Sequence, residues 1–60
     1  MSKALWWGYL HKQGTLQAKR WFSDEDISEA LSSPFVVRVY GPFEASGREE
    51  ALKILGEKLK

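Results

Sequence analysis

Residues 5–11 and 15–22 are two runs rich in aromatic and β-favouring side chains, and only Lys12-Gln13-Gly14 lies between them. A connection that short makes the two runs an antiparallel hairpin. A two-residue type I′ turn would place Gln13 at positive φ, which suits it poorly. A type I turn followed by Gly14 in the left-handed region gives a three-residue loop with a bulge. The bulge sets the register, pairing His11 with Thr15, Leu10 with Leu16, Tyr9 with Gln17, Gly8 with Ala18 and Trp7 with Lys19.

Three further elements follow. Ser23 is a good N-cap, Asp26 stands where a capping box places an acid, and Asp24, Glu25 and Asp26 complement the positive end of a helix dipole. Ile27, Ala30 and Leu31 form the single apolar stripe of that helix, which Ser32-Ser33-Pro34 ends. Residues 35–40, Phe35-Val36-Val37-Arg38-Val39-Tyr40, read as a β-branched strand stopped by Gly41-Pro42. Ser46-Gly47-Arg48-Glu49 has the S-x-x-E capping-box form. It opens a helix to about Leu59, with Ala51, Leu52, Ile54, Leu55 and Leu59 on its buried side. Gly56 inside that helix costs about 1 kcal/mol relative to Ala, so either the last turn frays or a neighbour packs closely there.

The order ββαβα defines an α+β domain. A right-handed crossover between parallel strands places the third strand beside the first, giving a three-stranded sheet in the order 2-1-3. The expected architecture is two-layered, with both helices on one face and the other face open to water. Residues 1–60 form a single domain, since a chain of this length has material for one core. A hydrophobic content of 43% is too high for a disordered tail. There is no cysteine and one histidine, so neither a disulfide nor a zinc site is expected, and packing of three Trp, three Phe and two Tyr must hold the fold together. The apolar start around Leu5-Trp6-Trp7 is interrupted by Gly8 and Lys12, too short for a signal peptide or membrane span, so a cytoplasmic protein without membrane attachment is expected.

The net charge is +1, but it is unevenly spread. Residues 1–22 hold Lys3, Lys12, Lys19 and Arg20 and no carboxylate; residues 23–33 hold Asp24, Glu25, Asp26 and Glu29 and no base. Alternation sends Leu16, Ala18 and Phe22 of the second strand inward, with Trp6, Gly8 and Leu10 of the first and Phe35, Val37 and Val39 of the third. The open face then collects Trp7, Tyr9, His11, Lys19, Trp21, Arg38 and Tyr40, without an acid from any strand. These seven residues are the candidate binding site.

Aromatic rings beside cations could stack the bases of single-stranded RNA or DNA while Lys and Arg meet phosphates. The same residues could equally be a stable sheet surface of cross-strand aromatic pairs. An exposed aromatic patch on a small domain also marks protein contacts and homodimers. Protein contact or self-association is the favoured expectation, with single-stranded nucleic acid as the alternative.

No catalytic residue, metal site or cofactor is expected. His11 has Thr15 and Lys12 as neighbours but no carboxylate or thiol, and reads as a solvated turn-flanking side chain. The acids of residues 24–29 match no calcium loop and diverge around a helix axis, so capping explains them. The string Val36-Val37-Arg38-Val39-Tyr40-Gly41-Pro42-Phe43, leading into Glu50-Ala51 and Leu55, is similar to the later half of SPOR peptidoglycan-binding repeats. The likeness covers under half of the chain, and the first half does not follow it.

Overall fold

A computed structural model describes residues 3–60. Its elements are β1 (Ala4–His11), β2 (Leu16–Arg20), α1 (Asp24–Ser32), β3 (Val36–Ala45) and α2 (Arg48–Leu59). The strands form one antiparallel sheet in the order β2-β1-β3, as expected for this α+β class.

The hairpin has the bulged register. Trp7 lies opposite Lys19, Gly8 opposite Ala18, Tyr9 opposite Gln17 and Leu10 opposite Leu16. The His11 N–H donates to the Thr15 carbonyl at 2.8 Å and the Gly14 N–H to the His11 carbonyl at 2.8 Å. Gly14 supplies the positive φ, +92°, that this loop requires.

Trp6, Ala18, Ala45, Ala51, Leu55 and Leu59 form the buried core, with Leu10, Leu16, Tyr40 and Phe43 packed at its margin. All belong to the sheet or to α2, which lies against the side of the sheet that Gly8 presents. None of α1 is buried, and no α1 residue joins this cluster. Asp26, Glu29 and Ala30 of α1 instead share a cavity with Trp7 and Tyr9, whose side chains leave β1 on the side opposite Gly8.

The 2-1-3 sheet stands, with α2 packed on the side that Gly8 presents and α1 sharing a cavity with Trp7 and Tyr9. The sheet is narrow. Three strands about 4.8 Å apart span about 10 Å, the diameter of one helix. Ala51, Leu55 and Leu59 fill that strip, and the crossover from β2 to β3 carries α1.

β3 is longer than expected. It runs through Gly41-Pro42, a cis peptide, to Ala45, with bulges where the β1 register shifts between Trp6 and Gly8 and between Leu10 and His11. β3 is an edge strand, where proline is tolerated. Between the bulges, Tyr40 lies opposite Gly8 and Arg38 opposite Leu10, on the α2 side, while Val39 lies opposite Tyr9. Phe35 and Val37, expected inside, are exposed at 49% and 56%. Phe22, also expected inside, lies beyond the end of β2 and is 77% exposed.

The helix starts differ in detail. Ser23 is the N-cap of α1, without a side-chain hydrogen bond to the helix. In α2 the N-cap is Gly47, and the capping acid is Glu50 rather than Glu49: its carboxylate accepts the Ser46 N–H at 2.9 Å.

Candidate interaction surface

Trp7, Tyr9 and Lys19 are brought together by the hairpin register. The Trp7 and Tyr9 rings, two residues apart on β1, have centroids 5.8 Å apart at 36°. Lys19 stands directly across from Trp7, and its Nζ lies 6.0 Å from the Trp7 ring centre and 5.8 Å from that of Tyr9. One ammonium thus serves two aromatic faces. Trp21 continues the ladder, its N–H donating to the Leu5 carbonyl at 3.0 Å, which by alternation places its ring on the same side.

His11 sits at the end of β1. Its Nδ1 accepts the Gln13 N–H at 3.2 Å, and its ring stacks on Phe35 at 5.9 Å with a 2° interplanar angle. Lys12 covers the same Phe35 ring, with Nζ 4.6 Å from its centre, while its own N–H bonds the Phe35 carbonyl at 2.8 Å. His11 therefore helps fasten the hairpin tip to the start of β3.

Arg38 and Tyr40 are not part of this group. The Tyr40 ring packs on Phe43 at 5.5 Å under the Lys58 ammonium at 5.9 Å, on the α2 side. Arg38 shares that side with Leu10. The register separates them from Trp7 and Tyr9: Gly8, Tyr9 and Leu10 pair in unbroken succession with Tyr40, Val39 and Arg38, so the residue of β3 that shares the Tyr9 side is Val39.

Trp7 is only 4% exposed. It is a floor and not an open stacking platform, flanked by Tyr9, Lys19 and Gly41. The cavity above it, about 510 Å³, is lined by Trp7, Tyr9, Lys19 and Phe22 on the sheet side and by Asp26, Glu29 and Ala30 on the α1 side. Two carboxylates thus enter a face that the strands alone leave without acid. Arg20 also touches this cavity, while its guanidinium carbon stands 5.7 Å from the ring of Trp6, its partner across the hairpin.

The indole N–H groups of Trp6, Trp7 and Trp21 are buried without an acceptor among the described residues. The sequence could not assign α1 and Phe22 to this site. Nothing in a nine-residue helix with a single apolar stripe says which side of the sheet it crosses, and Phe22 lies where the strand alternation has already ended.

Among the described residues, no group of three or more His, Asp or Glu side chains is placed to hold a metal ion. No helix of the described residues is long and apolar enough to cross a membrane. No protein-family model, curated protein or solved structure matches this chain.

Proposed function

We propose that this chain is a non-enzymatic interaction module that binds protein through the groove between α1 and the β1–β2 hairpin. The observation that carries the reading is Phe22, 77% exposed at the rim of a cavity whose floor is the Trp7–Tyr9 pair. A large apolar ring left in water beside a concave aromatic surface is the pattern of a protein contact. Leu31 of α1, 64% exposed, adds to the apolar surface that α1 leaves uncovered.

The nucleic-acid alternative has less support. Stacking needs open ring faces, and Trp7 is buried; phosphates would also meet Asp26 and Glu29 in the same cavity. Turnover has little support as well. Ser33 lines the cavity, but its Oγ accepts the Phe35 N–H at 3.3 Å and is bonded to no general base among the described residues. A cysteine-free chain fits the cytoplasm, the compartment this reading assigns.

A photo-crosslinking amino acid in place of Phe22, compared with the same group in place of Lys53 on α2, tests the reading in cells. Discrete protein adducts are expected from position 22 and none from position 53. Equal adducts from both positions, or none from position 22, would overturn it. So would amide shifts at Tyr9 and Lys19 produced by single-stranded RNA at low salt, in the absence of protein adducts.

A further inference from the structure

The groove is charged with opposite signs on its two walls. Lys19 stands on the β2 wall, and Asp26 and Glu29 stand on the α1 wall. Lys19 and Glu29 are exposed, and the Lys19 ammonium rests over the Trp7 and Tyr9 rings. Among the described residues, no side-chain atom of Lys19, Asp26 or Glu29 takes part in the side-chain hydrogen bonds; Glu29 enters them only through its backbone carbonyl, which accepts the Ser32 hydroxyl at 2.7 Å. The chain as a whole repeats the division, with four bases and no acid in residues 1–22 and four acids and no base in residues 23–33.

A surface with one sign on each wall and an apolar residue at its rim has a particular symmetry property. Turned by 180° about an axis through the groove, it presents its cationic wall to the acidic wall of an identical surface. This is the self-complementarity that an isologous two-fold interface requires, each contact occurring twice. A uniformly acidic or uniformly basic partner would satisfy one wall and be repelled by the other.

Resting on the protein-contact reading above, we propose that the partner in the groove is a second copy of this chain. Lys19 of each copy meets Asp26 and Glu29 of the other, and the two Phe22 rings cover each other's groove at the centre. Paired exposed charges supply register and specificity, and burial of Phe22 and of the apolar groove floor supplies the driving force.

The test is sedimentation equilibrium of the full chain with a charge exchange. The wild-type mass should rise from 6.9 kDa towards twice that value with concentration. Dissociation should increase with salt, which shortens the screening length from about 8 Å at 0.15 M to about 3 Å at 1 M. Lys19→Glu and Glu29→Lys should each weaken the dimer at least about tenfold, because every change acts at two symmetry-related contacts. Mixed in equal amounts, the two variants should form a heterodimer, since both walls are then complementary again. Phe22→Ser, at a position 77% exposed and outside the buried core, should weaken the dimer while amide dispersion stays native, which separates interface loss from unfolding.

A wild-type mass that stays monomeric up to about 1 mM, the weak limit of specific association, would overturn the proposal. So would a dimer insensitive to Glu29→Lys and Phe22→Ser, or variants that fail to pair when mixed. Adducts to other polypeptides from position 22, with the chain itself monomeric, would leave the protein-contact reading standing and remove the second copy as partner.

Discussion

The side chain of Leu55 on α2 occupies the space above Gly8 of β1. A Cβ at Gly8 would collide with Leu55 Cδ1 on one hand and with the backbone oxygen of Gln17 on the other. Leu55 is fully buried, so the helix is seated on the sheet at the point where β1 has no side chain.

Gly8→Ala should therefore lower unfolding stability by at least about 1–3 kcal/mol, the range for overpacking a filled core. Leu55→Ala should cost about 2–5 kcal/mol by opening a cavity. Urea unfolding of both singles and of the double variant separates the two contacts. With Leu55 truncated the helix no longer obstructs position 8, but the Gln17 carbonyl still does. The double variant should thus remain less stable than Leu55→Ala alone, while the loss falls short of the sum of the singles.

One residue further along α2 the outcome has the opposite sign. A Cβ at Gly56 would meet only Leu16 Cδ1, at 3.7 Å, an ordinary van der Waals distance. Neither fraying nor close approach explains this glycine, since the helix continues to Leu59 and there is room for a methyl group. Gly56→Ala should stabilise by about 0.5–1 kcal/mol through helix propensity. For a domain of this size that corresponds to a rise in Tm of about 2–8 °C, readable by calorimetry. An unchanged or lowered Tm would show that the last turn of α2 is not helical in solution.

At the other end of α2, Glu50 and Glu49 can be told apart. The Glu50 carboxylate accepts the Ser46 N–H at 2.9 Å, and Gly47 is the N-cap, so Glu50 holds the position from which a carboxylate reaches back to the chain entering the helix. Both acids lie in the first turn and share the favourable interaction with the helix dipole. Glu50→Ala loses that interaction and a hydrogen bond, for about 0.5–1.5 kcal/mol; Glu49→Ala loses the smaller part alone. Equal costs in urea unfolding would contradict the assigned bond.

The contrast between the hairpin and β3 shows what a linear sequence discloses. The β1–β2 register was legible because a three-residue loop with Gly14 at its end admits few geometries, and one correct turn fixes every pair along the ladder. The faces of β3 were not legible, because its alternation is reset where Gly41-Pro42 and Val37 each add a residue against β1. Arg38 and Tyr40 lie between the two bulges, and their side is set by register alone, opposite Leu10 and Gly8, which the apolar pattern of β3 does not disclose. The carboxylates of the groove were hidden for another reason. Asp24, Glu25, Asp26 and Glu29 serve equally well as first-turn acids on either side of the sheet, so only the path of the crossover brings Asp26 and Glu29 over Trp7. The apolar residues of α2, by contrast, had a single use, and their buried side was readable from period alone.

The floor of the groove depends on a residue outside it. Gly41 of β3 passes so close to β1 that an added Cβ would lie 2.6 Å from the Cβ of Trp7 and 2.9 Å from its Cα. Gly41 also has φ +144°, a conformation that residues with a side chain rarely adopt. Gly41→Ala combines both penalties. Gly14→Ala carries only the backbone one, since a Cβ at Gly14, with φ +92°, would have nothing within 4 Å. Gly14→Ala should cost about 1–2 kcal/mol, the price of a left-handed residue with a Cβ. Gly41→Ala should cost more by about 1–3 kcal/mol, because Trp7 and β3 must move apart. The displacement should also appear as greater acrylamide quenching of tryptophan fluorescence in Gly41→Ala than in Gly14→Ala, measured without denaturant. Equal stability and equal quenching in the two variants would mean that Trp7 is not held against Gly41, and the rigid aromatic floor of the groove would go with it.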